Sequence, residues 1–261
     1  QLEAATDELH SMCLSMVADT VASGDYHAFS LDADAAALVE RSWKRREPAL
    51  MGRMDLCFDG RSAPKLYEYN ADTPTSLLEA AAIQWFWLQD VYPQADQFNS
   101  IHEKLIAAWQ QRWQGDLRIV HFASFSASRE DEANVEYLRT TCALAGHATI
   151  ELDIQDVGWK GRHFLDLQDQ PIDQLFKLYP WEWMLDEPFG QHIASAPTEW
   201  IEPAWKLPPG AVVDLLAVVD GPGVGGELAP VVARGPNSFI PHRAEGPPAG
   251  NGTITLIGLA G

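Results

Sequence analysis

The chain is poor in positive charge. Eighteen Lys and Arg stand against 37 Asp and Glu, a formal net charge of −19, and the only basic run is the short "WKRRE" at 43–47. A surface of this sign repels nucleic acid and anionic membranes, so neither is an expected partner. Cysteine is scarce too. Cys13, Cys57 and Cys142 form no C-x-x-C pair and no even set, which excludes a disulfide framework and a thiolate metal site and points to a reducing, cytoplasmic setting. No apolar run reaches about 18 residues, so no membrane span and no signal peptide are expected. An initiator methionine is also missing at Gln1, which places the expected start upstream. The eight histidines show no H-E-x-x-H spacing, which removes that zinc motif.

What is present suits an α/β protein. The chain has 261 residues, 46% of them hydrophobic, enough for one large domain or two small ones. Helical spacing covers residues 2–23, 31–47, 76–91 and 99–114, the third opened by Ser76 and Glu79 in a capping-box pattern. Residues 51–58 and 65–70 alternate as strands around the turn "DGRSAP", which predicts a hairpin. "LRIVHFASF", the helix "REDEANVEYLRTTCALAG" and "ATIELDI" read as a parallel βαβ unit. A hairpin is expected over 159–172 and a strand from 175 into an aromatic segment ending at 184. After Leu207 the composition changes: all ten Trp and all six Tyr precede it, whereas the last 54 residues hold 8 of 17 Pro and 11 of 19 Gly. Three parts follow: a helical and hairpin part over 1–98, a sheet-forming part over 99–184 and a divergent remainder over 185–261.

The stretch "RMDLCFDGRSAPKLYEYNADTPTS", residues 53–76, concentrates charge where strands could bury it. Period two puts Arg53, Asp55 and Cys57 on one face of the first strand, and Leu66, Glu68 and Asn70 on one face of the second. If the register aligns those faces, Asp55, Glu68 and Asn70 offer three hard oxygens, the donor set Mg²⁺ favours when it keeps waters and shares a phosphate. Arg53 beside them could hold a phosphoryl oxygen. A helix start near Thr73 to Ser76 would point backbone N–H groups at an anion. A solvated hairpin face carrying surface ion pairs is the alternative, and spacing alone leaves both open. "GPGVGGEL" at 221–228 lacks the Lys-Ser/Thr of a phosphate loop. Trp181, Trp183, Trp200 and Trp205 read as packing.

Three segments, "RMDLCFDG…PKLYEYNADTPTSLLEAA", "ERSWKRREP" and "LYPWEWM…FG…WIEPAWK", resemble the glutathionylspermidine synthase family, including short forms without an amidase domain. The resemblance runs from Gln1 to about Leu207. It implies a Rossmann-like pre-ATP-grasp region joined to an ATP-grasp (α+β) portion, here incomplete. It also implies an ATP- and Mg²⁺-dependent carboxylate–amine ligase that forms an acyl phosphate, acting on a peptide-like carboxylate such as glutathione and an amine such as a polyamine. By the same resemblance Arg53 contacts phosphate, Asp55, Glu68 and Asn70 hold Mg²⁺, and Thr73, Thr75, Asp131 and Glu132 contact substrate. The family's "LSNK"-type lysine segment and glycine-rich lid do not follow "WIEPAWK". Two explanations stand, a missing internal segment or out-of-frame translation of the tail. The implied ligase is therefore expected to be impaired, and a non-catalytic fragment that keeps a metal- or peptide-binding surface is the other functional reading.

Overall fold

A computed structural model describes residues 2–97 and 99–208, together with the backbone of 253–258. The remainder of the tail, including "GPGVGGEL", lies outside the described residues. The chain divides into two compact units that alternate along the sequence, one built from residues 1–45, 53–71 and 205–256, the other from 46–52, 72–204 and 257–261.

In the first unit two helices accompany a small sheet. Helix α1 spans Leu2–Ser23, and its Leu2, Leu9 and Cys13 pack on a buried cluster of Met54, Leu56, Tyr69 and Ala71. Helix α2, Ala33–Lys44, starts where the Asp32 carboxylate accepts the Ala35 N–H at 2.8 Å. It ends on Arg41 and Lys44, cations that suit the negative end of the helix dipole. Strands β1, Gly52–Cys57, and β2, Lys65–Asn70, form the expected antiparallel hairpin, and a third strand, Thr253–Gly258, lies beside β1.

The second unit is a doubly covered parallel sheet. Strand β3, Ile119–Ser124, pairs in parallel with β4, Ala148–Asp153, through the crossover helix α5, Arg129–Leu144, so the expected βαβ unit forms. The sheet also runs further than the sequence reading reached: β7, Gln174–Leu178, and β8, Glu199–Ile201, continue it in parallel, giving the order β4-β3-β7-β8. On one face Val120, Phe122 and Phe176 meet Trp109 of α4, Ile101–Arg112, and Val135, Leu138 and Cys142 of α5. The other face is covered by the hairpin of β5, Gly158–Lys160, and β6, His163–Leu165. There Phe164 meets Trp200 edge-on at 5.2 Å, and buried His121 reaches Asp166 at 3.3 Å. Burial on both faces explains the near-continuous apolar runs of β3 and β7.

The expected helix over 76–91 forms with two corrections. Its chain leaves Ser76 in the left-handed region, φ 62°, and the Leu77 and Leu78 N–H groups donate to the Asn134 side-chain oxygen at 2.7 and 3.3 Å. Ser76 is therefore not the cap, and those amides are not left for a phosphate. The helix then passes through a π-helical turn, Glu79–Ile83, before helix α3, Gln84–Val91. Asn99 stabilises the wide turn by donating to the Ala80 carbonyl at 2.8 Å. The segment after β7 is helical, α6 spanning Trp181–Asp186.

Candidate functional site

The register of the hairpin decides the first question. Arg53 stands opposite Asn70 and Asp55 opposite Glu68, which puts directly opposed Cβ atoms about 5 Å apart. All four are half-buried, while Met54, Leu56 and Tyr69 between them are buried on the other face. The four sequence-predicted residues thus share one face of an antiparallel pair. Leu66 does not share it. The pairing steps from Asp55–Glu68 to Leu56–Leu66, so Tyr67 is an extra residue in a β-bulge. The bulge reverses the alternation beyond it and turns Leu66 onto the Met54, Leu56 and Tyr69 cluster. Exposed Tyr67 joins the polar face instead, where a hydrogen bond with the Cys57 thiol pushes its hydroxyl above the usual range.

Two carboxylates directly across a strand pair repel each other unless a cation intervenes. Arg53 pairs with one of the two, donating through Nε to Asp55 Oδ1 and through Nη2 to Asp55 Oδ2, both at 3.1 Å. The side chains are only 14% and 17% exposed, so this pair is shielded from water more than an ordinary surface bridge. Asn70 Nδ2 is buried and finds no hydrogen-bond partner among the described residues. An Asn amide can be turned over, and Oδ1 in that position would be an acceptor in want of a cation. No cluster of three or more His, Cys, Asp and Glu able to hold a metal occurs among the described residues. Two carboxylates and one amide oxygen form an open set, which fits an ion that keeps water and shares oxygens with a phosphate.

The other predicted positions belong to the second unit. Thr73 and Thr75 lie half-buried on the loop between Asp72 and Leu77, and Asp131 and Glu132 half-buried in the first turn of α5. Asn134, one turn beyond Asp131, ties that helix to the loop through Leu77, so the two pairs flank one junction. Ser128 caps α5 by accepting the Asp131 N–H. Burial pushes the Asp131 carboxyl above its ordinary value; the Ser128 hydroxyl opposes the shift and Glu130 adds to it. The C-terminal ends of β3 and β7, on either side of the point where the chain reverses its direction of winding, lead into this α5 turn and into α6. Doubly wound sheets bind ligands in that crevice.

The sequence reading missed a buried polar cluster in the same unit. Asp72 sits inside the motif "YEYNADTPTS", yet it is 9% exposed and accepts from Lys177 Nζ and from the Trp181 N–H at 2.9 Å. Lys177 is wholly buried on β7. Glu202 is equally buried and accepts the Leu50 and Met51 N–H groups at 3.0 and 2.9 Å. The available signal was a single lysine inside the apolar run "LFKLYP", since lysine is almost never fully buried without a partner.

Comparison with known proteins adds what geometry cannot. The family described as "Glutathionylspermidine synthase preATP-grasp" matches residues 1–208. A Haemophilus influenzae protein whose name assigns it to the acid–amine ligases is 45% identical over 213 residues, 79% of this chain and 54% of that protein. The bifunctional glutathionylspermidine synthetase/amidase of Escherichia coli is 27% identical over 72% of this chain and 30% of its own length. The chain thus spans about half the length of the first relative and under a third of the second. A solved structure titled as a gamma-glutamylcysteine synthetase, from Methylobacillus flagellatus, overlaps 77% of this chain and 45% of its own with a TM-score of 0.41 at 12% identity.

Proposed function

Because this chain belongs to the glutathionylspermidine synthase pre-ATP-grasp family, a ligase family, we propose that it carries the metal- and acid-binding part of an ATP- and Mg²⁺-dependent carboxylate–amine ligase. The observation that supports this most directly is the hairpin register, Arg53 opposite Asn70 and Asp55 opposite Glu68. In the proposed site Asp55, Glu68 and Asn70 hold Mg²⁺, which when bound would offset negative charge on the transferred phosphoryl group. Arg53 leaves Asp55 and turns its planar fork to a phosphoryl oxygen. Thr73 and Thr75 donate hydroxyl hydrogen bonds to a peptide-like carboxylic acid of the glutathione kind. Asp131 and Glu132 receive an ammonium group of a polyamine-like second substrate. No protein nucleophile is needed, since ATP activates the carboxylate as an acyl phosphate and the amine displaces phosphate from it. The three reduced cysteines suit a cytoplasmic enzyme, and no described helix is long and apolar enough to cross a membrane.

The second reading, a binding module without turnover, draws on one observation: the family match stops at residue 208. Both readings require the same hairpin. Calorimetric titration of the full chain with Mg²⁺, and then with glutathione, tests it. Saturable Mg²⁺ binding that weakens at least about tenfold in Asp55→Asn and in Glu68→Gln is expected. Equal affinity in wild type and both variants would overturn the assignment.

A further inference from the structure

Between the proposed Mg²⁺ ligand Asn70 and the start of the helix at Leu77 runs a loop that carries both threonines expected to touch substrate. Its backbone is strained at one end, where Ser76 is a non-glycine residue at φ 62°. Such a conformation persists only where the surroundings over-determine it. At that end the clamp is Asn134, through the Leu77 and Leu78 amides. At the other end it is Asp72, whose two carboxylate oxygens are both used, Oδ1 by Lys177 Nζ and Oδ2 by the Trp181 N–H. The lysine has further partners as well. Its ammonium donates to the Tyr179 carbonyl at 3.0 Å and lies 4.7 Å from the centre of the Trp181 ring.

A buried ion pair is a poor device for stability, because apolar residues of similar volume often hold a fold as well or better. What the pair adds is direction. A methionine or leucine at Lys177 could fill the space, yet it could not fix where Asp72 and the chain after it point. We propose that the Lys177–Asp72 pair is a lock that holds Thr73 and Thr75 in their substrate-binding arrangement, with Lys177 and Asp72 acting as positioning residues. Their value as aids to substrate binding rests on the ligase reading, whereas the lock itself does not.

The pair therefore separates stability from loop order. In the double variant Lys177→Met/Asp72→Leu the charges leave together and apolar volume replaces them. The expected result is a melting temperature within about 5 °C of wild type, with amide hydrogen exchange at Thr73, Thr75, Ser76 and Trp181 faster by at least about tenfold. Glutathione affinity should fall by a similar factor, and the single variant Lys177→Arg, which keeps the charge, should recover part of it. Unchanged exchange in that loop, in a folded double variant, would overturn the lock. Faster exchange with unchanged glutathione affinity would overturn the positioning role. If wild type binds no glutathione, the ligase reading fails, while the exchange measurement still decides the lock. A second measurement requires no variant. In wild-type protein labelled with ¹⁵N at lysine, a buried Nζ held by Asp72 and Tyr179 should give a slowly exchanging ammonium signal at neutral pH. The absence of any such signal assignable to Lys177 would overturn the proposal even if the double variant failed to fold.

Discussion

At the scale of single residues the informative one is Asp55, because it cannot satisfy two cations fully. Its carboxylate is held by both arms of Arg53, so a metal must compete with the guanidinium. Replacing Arg53 by Met should then tighten binding of Mg²⁺ alone, by up to about fivefold if the pair is worth roughly 1 kcal/mol. The same substitution should weaken binding of Mg²⁺ with a phosphate ligand, where the guanidinium would be an added donor. Paired calorimetric titrations read both signs, and weakening in both would show that Arg53 does not compete for Asp55. His10 offers a second test. Its Nδ1 lies 3.2 Å from the Tyr69 hydroxyl, under the hairpin. Burial lowers its pKa from 6.5, Lys206 adds to the effect and Asp7 opposes it. A histidine depressed in the fold contributes stability above its unfolded value and loses it as pH falls through the folded one. The urea midpoint should therefore drop between about pH 7 and pH 5 in wild type, and by less in His10→Gln. An identical drop in both would remove His10 as a source of acid sensitivity.

Arg53, Asp55, Glu68 and Asn70 were legible because alternation is a local property, and on a hairpin their faces coincide by register alone. Leu66 was misassigned because a bulge is set by the pairing of two strands, and nothing in "KLYEYN" marks Tyr67 as the additional residue. The helix start shows the same limit at the level of elements. Ser76 followed by Glu79 is a reasonable capping pattern, yet the acceptor is Asn134, 57 residues away in sequence. A cap supplied by a distant helix leaves no trace in the local pattern. Removing it should be costly: Asn134→Ala leaves the Leu77 amide buried and unpaired and frees the tie between the loop and α5. A loss of about 2 kcal/mol is expected in urea unfolding. Ser76→Ala should cost far less, since its hydroxyl is not the cap, and a larger loss there would restore the local pattern as the true one. The βαβ unit was legible because its period changes from strand to helix and back. The continuation of the sheet by β8 was not, since three residues, Glu199–Ile201, are too few to show a period.

At the scale of the whole molecule the question is turnover. ATP-dependent activation of a carboxylate needs groups that hold the nucleotide as well as groups that stabilise the phosphoryl in flight, and their effects multiply because each depends on the position of the other. The proposed Mg²⁺ site on the hairpin would be of the second kind. For the first kind the sequence after Lys206 supplies no lysine at all, and its two arginines, Arg234 and Arg243, stand among prolines and glycines. The family match ends at residue 208, in a chain that covers 54% of its 45%-identical relative. On the proposed reading, if residues 1–208 supply only the phosphoryl-stabilising groups, this chain should bind without turning over. In a coupled assay with ATP, Mg²⁺, glutathione and spermidine, amine-dependent ADP release should stay at the level of a no-enzyme control, while Mg²⁺ binding at the hairpin remains measurable by calorimetry. Release of ADP that needs both the acid and the amine, and that disappears in Asp55→Asn, would show that the chain completes a nucleotide site from residues beyond 208.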